Sequence, residues 1–256
     1  MTALVTGAGR RLGRAIALYL AGRGMDVAIH YNGSAEDALA TATEARALGV
    51  RAETFQADLL DLDAAEALVP RVTEALGPLR VLVNSASIFE YDNIRTASRE
   101  SWRRHFHSNL QAPFLLTQAF AAQVPAADRS GAEPVAQGLI INMVDQRVLK
   151  PTPEFMTYSL AKAGLWTLTQ TAARELAPDI RVNAIGPGPT MQGIRQSADH
   201  FARQRAATIL ERGADAADVT AAVGFFLDSP SVTGQLICVD GGQHLGWRTP
   251  DILGVE

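Results

Sequence analysis

The sequence predicts a single α/β domain built on a doubly wound parallel sheet of about seven strands, in the order 3-2-1-4-5-6-7, with helices on both faces. Three observations carry that prediction. Short apolar runs alternate with segments of helical length and periodicity along the whole chain. The first run ends in a glycine-rich turn, Gly7-Ala8-Gly9-Arg10-Arg11-Leu12-Gly13, that opens directly into a helix. The fourth ends in small polar residues, Asn84-Ser85-Ala86-Ser87, at a place where sheets of this kind bind their ligands.

Taken in order, residues 2–6 read as a short buried strand and the helix after the glycine turn ends near Gly22 to Gly24. Glycines let the backbone turn tightly and approach a ligand, while the free N–H groups and dipole of the helix start attract phosphate. An ordinary strand-to-helix turn is the alternative. The second strand, 27–31, leads to a helix over 35–48 that Ser34 is placed to cap. No acidic residue ends this strand, so the group that holds a ribose 2′-hydroxyl in NAD sites is missing. His30, Tyr31 and Ser34, with Arg11 pointing to the same neighbourhood, favour NADP instead; capping alone explains Ser34 and solvation alone explains Arg11. The third strand, 51–56, reaches Asp58-Leu59, suited to hydrogen bonding near an adenine.

An amphipathic helix over 61–76 stops at Gly77-Pro78, and an apolar central strand follows at 80–83. Residues 101–123 read as one long helix containing Asn109, an amide on a Leu- and Phe-rich segment, and 125–137 as a mobile surface loop. The fifth strand is 139–143, a helix covers 158–176, and the sixth strand is 181–185. Gly186-Pro187-Gly188-Pro189 then breaks the chain, and 190–213 reads as a substrate-covering lid with few anchors. A last helix, 216–227, and a seventh strand, 236–239, complete the alternation.

At 256 residues and 47% hydrophobic content, the chain suffices for one large core, and 1–256 is read as one domain. A net charge of −4 without a basic run speaks against nucleic-acid or acidic-membrane partners. One cysteine, Cys238 in an apolar strand, excludes an internal disulfide and offers no metal cluster; a small core residue is its expected role. The N-terminus enters a strand at once, and no apolar run approaches the roughly 20 residues that span a bilayer, so a soluble cytoplasmic protein is expected.

The expected chemical centre lies between Asp145 and Lys162. Tyr158 and Lys162 stand four apart in a run of helix formers, which puts both on one face about a turn apart. An ammonium beside a phenol favours phenolate and lowers the tyrosine pKa from about 10, preparing Tyr158 to exchange a proton. Asp145, at the end of the preceding strand, either works beside the tyrosine or simply caps a turn or pairs with Arg147.

These segments together resemble the short-chain dehydrogenase/reductases over essentially the full length. The likeness rests on Thr6-Gly7-Ala8-Gly9-Arg10-Arg11-Leu12-Gly13, Asn84-Ser85-Ala86, Asn109, Tyr158 and Lys162, Arg181-Val182-Asn183, Gly186-Pro187-Gly188 and Asp240-Gly241-Gly242. The resemblance implies a Rossmann-type fold, Tyr158 as proton donor, Lys162 as the group that lowers its pKa and holds the nicotinamide ribose, and Asn109 as anchor of a water in a proton relay. Arg11 in place of a middle glycine and Asp145 in place of a serine resemble the pteridine reductases and the bacterial dihydromonapterin reductases that also reduce dihydrofolate. So do His30-Tyr31 with Ser34, Asn84, Ala86-Ser87 with Phe89, and Asn142-Met143-Val144-Asp145. Gly33, where an arginine is frequent, and Ser85, in place of a second asparagine, depart from that pattern.

By this resemblance NADPH is the cofactor, bound through Gly7, Arg10, Arg11, Leu12, Gly13, His30, Tyr31, Ser34, Asp58, Leu59, Asn84, Ser85, Ala86, Tyr158, Lys162 and Gly188. A pterin-like substrate contacts Ser87, Phe89, Asp145, Tyr158 and Pro187, and catalysis falls to Asp145, Tyr158, Lys162 and Asn109. The subfamily implies a homotetramer, with the apolar tail residues Trp247, Ile252 and Leu253 packing on a neighbouring subunit. Two alternatives stand beside the pterin reductase: a carbonyl or 3-oxoacyl reductase of the same fold, and a non-catalytic NADP-sensing regulator. The intact Tyr158, Lys162 and Asn109 argue against the regulator, which needs no proton relay.

Overall fold

The computed structural model describes residues 1–193 and 196–247. Seven strands form one parallel sheet: β1 (Thr2–Val5), β2 (Asp26–Tyr31), β3 (Ala52–Gln56), β4 (Leu79–Asn84), β5 (Gly138–Met143), β6 (Ile180–Pro187) and β7 (Leu236–Val239). Their order is β3-β2-β1-β4-β5-β6-β7, as predicted. The central strands are apolar on both faces because both are covered: every residue of β1 and β5 is buried. Edge strand β3 is more open, with Glu53 and Gln56 exposed.

Strand alternation divides the core. Ala3 and Val5 join one cluster with Ile16, Leu20 and Val223, whereas Leu4 joins the other with Leu68, Leu82 and Phe120. The first cluster packs α1 (Arg11–Gly22), α2 (Ala35–Ala47) and α8 (Ala216–Asp228) on the sheet; the second packs α3 (Leu62–Leu76) and α5 (Ala112–Gln123). The topology reverses between β1 and β4, so their carboxyl ends open a crevice.

Three sequence expectations change. The single helix over 101–123 is α4 (Arg99–Phe106), a π-helical stretch at His107–Gln111, and α5. Pro113 has no N–H for the carbonyl of Asn109 four residues back, so the ladder widens there, beside an Asn109 that is itself fully buried. The 125–137 loop is tethered rather than loose: Asp128 and Val135 exchange backbone hydrogen bonds of 2.9 and 2.8 Å, and Asp179 Oδ1 accepts from the Ala127 N–H. The expected lid contains α7 (Ala198–Ala206), capped by Ser197, and Arg205 donates to the carbonyls of Pro189, Gly213 and Ala214. Residues 194 and 195 lie outside the described residues, as do Ile252 and Leu253 of the tail; Trp247 is exposed. Among the described residues no helix is long and apolar enough to cross a membrane.

Candidate active site

A cleft of about 720 Å³ opens at the carboxyl ends of β1, β4 and β5. Its floor is the glycine turn, which the tertiary structure holds very close to its neighbours. A Cβ at Gly13 would lie 2.2 Å from the Gly7 carbonyl oxygen, and one at Gly7, whose φ is +66°, would lie 3.0 Å from Ala86 Cα. Thr6 Oγ1 accepts from the N–H groups of Ser85 and Ala86 at 2.9 and 3.0 Å, binding this turn to the loop after β4.

His30 holds the same turn from behind. Its Nδ1 accepts the Gly7 N–H at 3.0 Å, which leaves Nε2 to donate to the Ala57 carbonyl at 3.1 Å. Burial pushes its pKa down to about 4, so the ring is neutral at pH 7. His30, read from the sequence as one of the residues that favour NADP, is here a neutral, buried imidazole with both nitrogens committed, a brace for the turn. Arg11 also differs from expectation. Its backbone takes a left-handed φ of +54°, and its guanidinium donates to the carbonyls of Met191 and Gln192. Arg10 pairs with Asp37 of α2. Ser34 stands at the N-cap position of α2 without a side-chain capping bond, a correction to its expected role.

Seventeen expected residues line the cleft: Gly7, Arg10, Arg11, Leu12, Gly13, His30, Asp58, Leu59, Ser85, Ala86, Ser87, Phe89, Asp145, Tyr158, Lys162, Pro187 and Gly188. Tyr31, Ser34, Asn84 and Asn109 do not. The amide of Asn84 is turned into the protein, where its Nδ2 donates to Asn142 Oδ1 at 2.8 Å and Asn142 in turn donates to Thr169. Asn109 is committed to one neighbour: Oδ1 accepts from the Ile88 N–H at 2.9 Å, and Nδ2 donates to the Ile88 carbonyl at 2.8 Å. It thereby positions the Ser87–Phe89 segment.

Helix α6 (Met156–Glu175) turns Tyr158, Ala161, Lys162, Leu165 and Thr169 inward at helical spacing. The Tyr158 hydroxyl donates to Asp145 Oδ2 at 2.9 Å, and the other carboxylate oxygen accepts the Arg147 N–H at 2.9 Å. Asp145 thus both caps a short 3-10 turn (Gln146–Val148) and meets the tyrosine. Lys162 donates to the Met143 carbonyl at 2.7 Å, with its nitrogen 5.8 Å from the Tyr158 ring centre. Burial, reinforced by the adjacent Asp145, holds the Tyr158 pKa well above its usual value, and burial lowers that of Lys162 to about 8. Burial also raises Asp145, against the pull of Arg147. The expectation that Lys162 lowers the tyrosine pKa is corrected for this arrangement: the phenol faces a carboxylate, which keeps it protonated.

Phe89 walls the cleft beside this pair. It lies edge-on to Tyr158, with centres 4.7 Å apart, and stacks on Phe155 at 4.3 Å and 10°. Sequence reasoning missed Phe155, Arg104 and Ser108, as well as a buried chain from His105 through Thr157 to Asp92. Only the fold brings those residues, distant in sequence, together.

The residues present fit a dinucleotide. The first turn of α1 holds no acidic residue and its N-cap position makes no side-chain cap, so its N–H groups are left for a phosphate beside a turn too tight for side chains. A doubly wound sheet with this turn and a Tyr-Lys pair at its carboxyl edge defines a nucleotide-dependent oxidoreductase. Comparison with known proteins gives the family. The sequence profile described as "Enoyl-(Acyl carrier protein) reductase" matches residues 7–244. A 3-oxoacyl-[acyl-carrier-protein] reductase FabG of Staphylococcus aureus is 35% identical over 249 residues, covering 95% of this chain and 98% of the relative. A short-chain type dehydrogenase/reductase of Picea abies is 31% identical, covering 94% and 91%. The crystal structure of FolM Alternative dihydrofolate reductase 1 from Brucella suis in complex with NADP superposes with a TM-score of 0.91 at 41% identity, over 98% of both chains. The chain belongs to the short-chain dehydrogenase/reductase family.

Proposed function

We propose that this oxidoreductase uses NADPH to reduce a dihydropterin or dihydrofolate-type substrate. The observation that carries the proposal is Asp145, which lines the same cleft as Phe89 and is hydrogen-bonded to Tyr158 at 2.9 Å. A ketone needs only a hydroxyl donor at its oxygen, whereas a pterin offers ring N–H and amino groups that a carboxylate can accept. The NADP-bound FolM structure supports the same substrate class and the same cofactor. The absence of an acid after β2 supports NADPH over NADH.

NADPH, when bound, supplies hydride; Gly7, Gly13 and the start of α1 would hold its phosphates, and Tyr158 and Lys162 its nicotinamide end. Phe89 offers a flat face for the substrate ring. Tyr158, kept as a phenol by burial and Asp145, retains the proton for N5 of the pterin, and Asp145 orients the ring through its N–H groups. The second reading, a 3-oxoacyl reductase, is favoured by the FabG relatives. A homotetramer is also proposed, supported by exposed Trp102, Phe114 and Leu160 on α4, α5 and α6.

NADPH oxidation against dihydrobiopterin, dihydromonapterin, dihydrofolate, a 3-oxoacyl thioester and simple ketones tests the proposal. Asp145→Ser should lower pterin turnover by on the order of 10- to 100-fold, as the loss of a charge-assisted hydrogen bond of about 1.5–3 kcal/mol implies, and spare ketone reduction. Unchanged pterin turnover in a variant that still binds NADPH would transfer the assignment to the 3-oxoacyl reductase.

A further inference from the structure

The Phe89 wall is backed by groups that do not themselves line the cleft. Phe155 stacks on Phe89 almost in parallel, and the Arg147 guanidinium lies 4.8 Å from the Phe155 ring centre and 5.7 Å from that of Phe89. Two features of this stack are unfavourable by themselves. Phe155, at the N-cap position of α6, has a φ of +55°, a left-handed conformation that bulky residues avoid. Arg147 Nη1 is buried without a hydrogen-bond partner, although its own backbone N–H is satisfied by Asp145. A strained aromatic residue and an unpaired guanidinium nitrogen meet on the same two rings, where stacking and cation–π attraction are the compensating interactions.

Other groups also hold this segment. Tyr158 meets Phe89 edge-on, Tyr91 meets Phe155 edge-on at 5.3 Å, and the Glu90 N–H donates to His105 Nε2 at 3.1 Å. The parallel contact with Phe155, at 10° between planes, bears directly on the tilt of the Phe89 ring.

We propose that Phe155 and Arg147 are positioning residues that fix the Phe89 ring from behind and so make it a rigid stacking platform selective for planar heteroaromatic substrates. The proposal rests on the planar-substrate reading of the preceding section. A wall held in one plane presents its whole face to a flat ligand without losing ring freedom on binding, so its contribution falls on affinity rather than on the chemical step.

The test uses the full-length protein with NADP+ and the fluorescent probe pterin, whose dissociation constant is read without turnover, alongside KM and kcat for dihydrobiopterin. Phe155→Leu and Arg147→Met should each weaken pterin binding and raise KM by about 3- to 10-fold, the size of one aromatic pair, with kcat within about 3-fold for Phe155→Leu; no such constancy is expected of Arg147→Met, because the Arg147 charge also acts on Asp145. Phe155→Tyr should restore wild-type binding. Pterin affinity unchanged in both variants, a Phe155→Tyr protein no better than Phe155→Leu, or a loss of NADPH binding along with pterin binding would each overturn the proposal. Wild-type protein that binds pterin but does not reduce dihydrobiopterin would refute the reaction proposed above and leave the platform to be judged on the dissociation constants. Wild-type protein that fails to bind pterin would refute both.

Discussion

Protonating His30 should loosen the cofactor turn and destabilise the fold together. The ring is 2% exposed, and burial brings its pKa from 6.5 down to about 4. Because the folded-state value lies below the unfolded one, the unfolded chain binds more protons between these limits, and stability falls as pH drops through that window. At about 1.36 kcal/mol per unit, the 2.5-unit difference between 6.5 and 4 amounts to about 3 kcal/mol, absent above pH 6.5 and complete below pH 4. A proton on Nδ1 would also set two N–H groups against each other where Gly7 now donates. Urea unfolding of wild type and His30→Gln between pH 7.5 and 4 isolates the effect, since other titrating groups are common to both. The wild type should lose about 3 kcal/mol relative to the variant on going from pH 7 to pH 4, and its NADPH affinity should weaken over the same range. Parallel stability curves, or an NMR titration of His30 with a midpoint above 6, would refute the reasoning.

Two further predictions concern the cleft. Asn109→Ala leaves the N–H and carbonyl of Ile88 unpaired inside the protein and should cost about 2–5 kcal/mol in urea unfolding, with faster hydrogen exchange at the Ile88 amide; a loss below about 1 kcal/mol would mean that water replaces the amide. Gly13→Ala places a methyl 2.2 Å from the Gly7 carbonyl oxygen and must displace the turn, so NADPH binding by fluorescence titration should weaken at least tenfold, by roughly 1.4 kcal/mol or more, and normal affinity would show the turn to be more plastic than its contacts imply.

The sequence by itself determined the architecture of this protein. Buried parallel strands must be apolar on both faces, and that need writes runs such as Leu139–Ile141 into the chain in readable form. The four-residue interval between Tyr158 and Lys162, and the glycines of the first turn, were equally legible, because local geometry alone dictates them. Only the tertiary structure decided what the polar groups do. His30 reads as a cofactor contact until packing under Gly7 and Ala57 takes away its water, and Lys162 reads as the partner of the phenol until the end of β5 delivers Asp145 to that place and the Met143 carbonyl to the lysine. The same holds for Phe155 and Asn109, whose contacts with Phe89 and Ile88 span 66 and 21 positions of the chain. Protonation state and side-chain direction depend on desolvation and on neighbours distant in sequence, and neither has a period or spacing that a linear sequence can display.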